Sequence, residues 1–145
     1  MLVLGYGSDL RRDDAAGRRA AEALAARDPA GVEVRVVHQL APELAAACAG
    51  RRLVVFVDAA VDLGGVRVEA VDPRAAGPVT THHVHPRSLL GLAARLGWAP
   101  DAAVTVSVPA ADLGLGTELS PRTQVAVGEA ADRLAELCAE ALAAP

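Results

Sequence analysis

Residues 53–61, LVVFVDAAV, form the most apolar stretch of the chain. An apolar run of this length predicts a central strand that is buried on both faces, with neighbouring strands beside it and helices above and below. Further strand patterns occur at 2–5, 32–38, 66–71 and 103–108. We expect strand 53–58 to neighbour strand 2–5, whereas strand 66–71 follows a glycine turn and should run antiparallel or lie toward an edge.

Helical patterns alternate with these strands. One begins at Asp13 or Asp14 and ends before Pro29, a short one covers 42–50, one runs from Pro86 to Leu96, and the last follows Ser120-Pro121. This alternation predicts an α/β fold, a three-layer sandwich whose central sheet is mostly parallel and roughly five-stranded, with helices on both faces. No repeat or linker interrupts residues 1–145, so we expect one domain.

Composition argues against several classes of function. The chain has one Phe, one Trp and one Tyr, a net charge of −4 and no lysine, which is unlike nucleic-acid-binding proteins. Cys48 and Cys138 are far apart and show no metal-binding or redox spacing, so we expect two buried thiols. The sequence shows no signal-peptide pattern and no apolar run of membrane-spanning length, and we expect a cytoplasmic protein that does not contact membranes.

The stretch GYGSDLRRDD, residues 5–14, lies at the first strand-to-helix turn. A dinucleotide-binding turn would need a third glycine, where this chain has Leu10, and an acidic residue near the end of the second strand, where it has His38. A phosphate-binding Walker loop requires a lysine, and the G-x-S-x-G element of many serine hydrolases is absent. Nucleotide binding and serine hydrolase chemistry are therefore not favoured.

Carboxylates and imidazoles offer a different chemistry. Asp14 follows the first strand, Asp58 ends the most apolar strand, and THHVHP at 81–86 contains three histidines. The carboxyl ends of parallel strands meet at one sheet edge, so these groups could flank one crevice and bind a divalent cation such as nickel or zinc. Simpler interpretations stay open: Asp13 and Asp14 could cap a helix, Asp58 could bind backbone amides, and the histidines could be solvated.

The sequence resembles the nickel–iron hydrogenase maturation proteases, whose opening signature is roughly G-x-G-N-x-L-x-x-D-[DE]-G-x-G. The matching residues are Gly5, Gly7, Leu10, Asp13, Asp14 and Gly17. The resemblance continues through APEL (41–44), VVFVDAAV (54–61), TTHHVHP (80–86) and LGLGTELSP (113–121), and so covers nearly the whole chain. The departures are Ser8 for Asn, Ala15 for Gly, and His38-Gln39 where many members have Gly-Gly. Ala15 should be tolerated if its backbone is helical.

The resemblance implies an endopeptidase that removes the C-terminal extension of a hydrogenase large-subunit precursor after nickel insertion. It implies that Asp14, Asp58 and His82 are the catalytic and metal-binding residues, with His83 and then His85 as alternatives to His82. Nickel would arrive with the precursor, and no other cofactor is expected. Asp13 would cap the helix, and the protein would be a monomer. Other classes stay open: a non-catalytic module that senses a metal-loaded partner, a small-molecule hydrolase, or a divergent relative with another substrate.

Overall fold

The computed structural model describes residues 1–75, 77 and 84–145. Within these residues, the strands are β1 (Leu2–Tyr6), β2 (Glu33–Val37), β3 (Leu53–Ala60), β4 (Arg67–Val71) and β5 (Ala102–Pro109). The α-helices are α1 (Ala16–Ala25), α2 (Pro86–Arg95) and α3 (Pro121–Ala143), and two 3-10 helices cover Arg12–Ala15 and Pro42–Cys48. This is the predicted α/β architecture.

The strands form one sheet in the order β2-β1-β3-β5-β4. In this order, the strands β2, β1, β3 and β5 are parallel to one another, and β4 runs antiparallel to β5 at the edge. Leu2 pairs with Val54 and Gly5 with Val57, so β1 and β3 are neighbours, as the sequence predicts. Residues 53–57 of β3 are buried, because β3 lies in the middle of the sheet with helices on both faces.

Alternate residues of the central strands supply two separate cores. Val55 and Val57 pack in the core that α1 and α3 cover, whereas Val54 and Phe56 pack in the core that contains residues of α2 and of the 3-10 helix Pro42–Cys48. This alternation follows from the period of two along a strand. No helix in the described part of the chain is both long and apolar enough to cross a membrane.

The start of α1 differs from the sequence prediction. The pattern predicted one helix from Asp13 or Asp14, but the α-helix begins at Ala16, after the 3-10 helix Arg12–Ala15. Arg12 has a φ of +46°, outside the right-handed helical region, so the α-helix does not extend back to this residue. The chain instead enters α1 through a 3-10 turn, which is wound more tightly than an α-helix. Ala15 has φ −78° and ψ 0°, which confirms that alanine is tolerated where the family has glycine.

Candidate functional site

A cavity of about 530 Å³ opens at the carboxyl ends of β1 and β3. The connection after β1 passes through α1 on one face of the sheet, and the connection before β3 passes through the 3-10 helix Pro42–Cys48 on the other. Two neighbouring parallel strands whose connections lie on opposite faces leave a crevice between them, which is the usual ligand position in open α/β sheets. We call this cavity the cleft.

Asp14 and Asp58 both line the cleft, although they come from different elements. The backbone N–H of Ser8 donates a hydrogen bond to Oδ2 of Asp14 at 2.9 Å, which holds the carboxylate toward the end of β1. Gly17 brings the two elements together, since a Cβ atom there would lie only 2.6 Å from the Cα of Asp58. The first turn of α1 therefore packs directly on the backbone of β3, and this contact places Asp14 near Asp58.

Asp58 is the most perturbed carboxyl group of the cleft. Burial raises its pKa to about 6, and the negative charge of Asp14 adds to the rise, whereas hydrogen bonds from the Ala59 N–H and the Tyr6 hydroxyl and the charge of His85 oppose it. Burial, followed by the charge and hydrogen bond of Asp58, raises the pKa of Tyr6 well above its usual range. Tyr6 is therefore a neutral hydrogen-bond donor that orients the Asp58 carboxylate.

Asp13 has a structural role, but it does not cap a helix as the sequence suggested. Neither the 3-10 helix Arg12–Ala15 nor α1 has a side-chain cap. The buried carboxylate instead accepts five hydrogen bonds, from the backbone of Ala111, Asp112 and Ser120 and from the hydroxyls of Ser120 and Thr123, at 2.7–2.9 Å. Burial would raise its pKa, but these donors outweigh that effect and hold the pKa well below its usual range.

Of the three histidines in residues 81–86, the structure describes only His85. His82 and His83 lie outside the described residues, so the predicted ligand His82 stays a prediction. His85 precedes α2, is exposed and lines the cleft. Within residues 1–75, 77 and 84–145, no group of three His, Cys, Asp or Glu side chains is arranged to hold a metal ion. The described part of the cleft thus contains two of the three predicted ligands.

Sequence reasoning missed Tyr6, Ser8 and Arg11, which also line the cleft. The register of β1 on β3 contains a signal for Tyr6, because Gly5 pairs with Val57 and one further step brings Tyr6 beside Asp58. No such signal exists for Arg11, whose position depends on a contact with a loop about a hundred residues away. His38 and Gln39, which replace the family's Gly-Gly pair, border the same cleft.

No family model and no curated protein matches the sequence. Solved structures do match. The hydrogenase maturating endopeptidase HybD from E. coli is 25% identical, with a TM-score of 0.74 over 96% of this chain and 91% of that one. The hydrogenase maturation protease HycI from Thermococcus kodakarensis is 28% identical, with a TM-score of 0.62 over 97% of this chain and 90% of that one.

In fold and in sequence, the chain is thus similar to hydrogenase maturation proteases. The HybD protease from Thermococcus kodakarensis shares the fold, with a TM-score of 0.69 and 23% identity over 94% of this chain and 97% of that one. These neighbours are peptidases, which supports the predicted enzyme class, and the predicted fold class and the predicted resemblance to the family are confirmed.

Proposed function

We propose that this protein is a peptidase that removes the C-terminal extension of a nickel–iron hydrogenase large-subunit precursor, and that it recognises nickel already inserted in the precursor. The observation that carries the proposal is the meeting of Asp14 and Asp58 in one cleft of a chain with this fold. The two carboxylates are far apart in sequence, and the close packing of Gly17 on β3 brings them together.

The donor atoms of the cleft fit a nickel ion that belongs to the substrate. Asp14 and Asp58 offer carboxylate oxygens, and His82 would add an imidazole nitrogen, a mixed set that suits a borderline divalent cation. One oxygen of Asp14 already accepts the Ser8 N–H, which leaves the other for the cation. Such a site contains no thiolate, so the precursor would supply the remaining ligands. Bound nickel would identify a correctly loaded precursor and would draw the scissile segment into the cleft.

Peptide hydrolysis follows from the same carboxylates. A carboxylate accepts a proton from a water molecule while the water oxygen forms a bond to the peptide carbonyl carbon. The tetrahedral intermediate then breaks its C–N bond, and the proton passes to the leaving amine. The products are the shortened subunit with a new carboxylate and the released extension with a new amino group. The rigid placement of both carboxylates supports this reaction because it aligns the water with the scissile bond.

The test is incubation of the protein with a nickel-loaded large-subunit precursor, followed by mass spectrometry of the products. We expect a shortened subunit, and a loss of rate of about 10²–10⁴-fold in each of Asp14→Ala, Asp58→Ala and His82→Ala. Asp132→Ala is the matched control, since Asp132 is exposed on α3 beside Arg27 and should keep full activity.

Two results would contradict the proposal. Full activity of the Asp58→Ala variant would exclude Asp58 from the reaction, provided that the variant keeps the wild-type circular dichroism spectrum. A stable complex with the nickel-loaded precursor that never yields a shortened subunit would instead identify a binding module. Parallel assays of His83→Ala and His85→Ala would show which imidazole the reaction requires.

A further inference from the structure

Two loops at the mouth of the cleft are joined along their backbones. The N–H of Gly116 donates to the carbonyl of Leu10, and the N–H of Arg12 donates to the carbonyl of Gly116, both at 3.0 Å. The Arg12 guanidinium adds a hydrogen bond to the Glu118 carbonyl and an ion pair with Asp112. We call these loops, residues 8–12 and 112–116, the rim. Although they are about a hundred residues apart in sequence, they form one surface.

The rim keeps an unfavourable backbone conformation. Arg12 has a φ of +46°, in a region that residues other than glycine seldom adopt. The bonds to Gly116 and Glu118 hold this conformation, and the buried carboxylate of Asp13 fixes the second loop through the N–H groups of Ala111 and Asp112. Strain that the surrounding structure maintains is typical of functional segments. The rim is therefore built to present its outward side chains in fixed positions.

Two of the exposed side chains of the rim are large and apolar, and they lie beside the exposed charged residues Asp9 and Arg11. Leu115 is 89% exposed and Leu10 is 62% exposed, and Leu115 is the most exposed large apolar residue in the described part of the chain. The rim is continuous with the cleft, because two rim residues, Ser8 and Arg11, also line the cleft. The Arg11 guanidinium also donates to the carbonyl of Leu113 at 3.3 Å, which ties the cleft wall to the second loop. Leu10 and Leu115 belong to the same two joined loops, so they lie next to this wall of the cleft.

We propose that the rim is the docking surface for an apolar segment of the protein whose peptide bond is cleaved. This inference rests on the proposed function, because it assigns the substrate of the same cleft as the occupant of the rim. Continuity with the cleft favours the substrate over a second copy of this chain, which would cover the cleft mouth. Preorganised apolar anchors lower the entropic cost of binding, so two leucines on a fixed backbone can contribute to the affinity.

The experiment compares Leu10→Ser/Leu115→Ser with the wild type. Both leucines are exposed, so the double variant should keep the wild-type Tm. Binding is measured with immobilised nickel-loaded large-subunit precursor, and cleavage is measured with the same precursor in solution. We expect Kd and KM to rise about 10–100-fold in the double variant, with kcat unchanged. Leu96→Ser is the matched control, since Leu96 is 48% exposed but lies at the far end of α2 from the cleft.

The outcomes separate this inference from the proposed function. A double variant with wild-type Kd and KM would overturn the docking surface even when cleavage is observed. A wild-type protein that binds the precursor without cleaving it would contradict the proposed reaction. In that case, a higher Kd of the double variant would still support the docking surface. If the double substitution dissociates a dimer in sedimentation and leaves Kd unchanged, the rim is a self-association surface and the inference is wrong. Equal weakening by Leu96→Ser would also overturn it.

Discussion

Asp13 and Asp14 are adjacent acids with different roles. In a 3-10 helix, successive residues are rotated by about 120°, so adjacent side chains point in different directions. Asp13 points into the protein and binds the start of α3, and Asp14 points into the cleft. The sequence shows only two acids at a helix start, and the resemblance to the family separated them. The partners of Asp13 lie about a hundred residues away, so no local pattern predicted them.

Replacing Asp13 with asparagine tests its role. The amide group has a donor where the carboxylate has only acceptors, and the surrounding N–H and hydroxyl groups would lose partners. We expect Asp13→Asn to lower the free energy of unfolding by about 3 kcal/mol at pH 7, measured by urea denaturation. Asp132→Asn is the control, since its side chain is 70% exposed in a surface ion pair and its removal should change stability by less than about 1 kcal/mol.

The same substitution has a predictable pH dependence. Because folding lowers the pKa of Asp13, its stabilising effect is fully present above the unfolded pKa of about 4 and is lost as the pH falls toward the lower folded pKa. The difference in stability between wild type and Asp13→Asn should therefore be smaller at pH 3 than at pH 7. A difference that is equal at the two pH values would show that the carboxylate charge is not what the five donors stabilise.

At the scale of elements, the contact between α1 and β3 positions the candidate site. Gly17 has no side chain between the first turn of α1 and the end of β3, so the helix approaches the backbone at Asp58. Gly7 has a similar function beside it, because its φ of +142° lets the chain turn after β1 and a Cβ there would overlap the Asp14 carbonyl. These glycines of the opening signature are required by the close approach of backbones.

Two glycine-to-alanine substitutions distinguish the effect of helix packing on stability from the effect of helix propensity. Gly17→Ala gains helix propensity but forces α1 away from β3, so we expect a net loss of about 1–3 kcal/mol and reduced activity. Gly128→Ala is the matched control in α3, where an added Cβ meets no atom within 4 Å, and it should stabilise the protein by about 0.5–1 kcal/mol. Thermal unfolding of both variants measures the contrast. A stable, active Gly17→Ala protein would show that the helix can shift without disturbing the site.

At the scale of the whole molecule, burial falls from the centre of the sheet to its edge. β3 has β1 on one side and β5 on the other, and its first five residues are buried. Among the described strands, β4 pairs only with β5, and none of its residues is buried. The interior of the sheet should therefore open only with the whole protein, whereas the edge should open locally.

Native-state hydrogen exchange tests this gradient. We expect the amides of β3 to exchange only through global unfolding and those of β4 to exchange at least about 10-fold faster, because local opening of an edge strand breaks few apolar contacts. Mass spectrometry of peptides from the two strands measures the rates. Equal protection of β4 and β3 would indicate that another segment or molecule covers the edge.

Sequence alone determined the α/β class, the central position of residues 53–57 and the adjacency of β1 and β3, because these depend on apolar periodicity along short segments. It also indicated Asp14 and Asp58, through the positions where strands end and through the family signature. Only the tertiary structure decided that Asp13 binds the start of α3, that Tyr6 orients Asp58, and that residues 8–12 and 112–116 form one rim. Each of those arrangements depends on contacts between segments that are distant in sequence; Tyr6 can be placed only once the register of β1 on β3 is known, and the other two leave no local pattern.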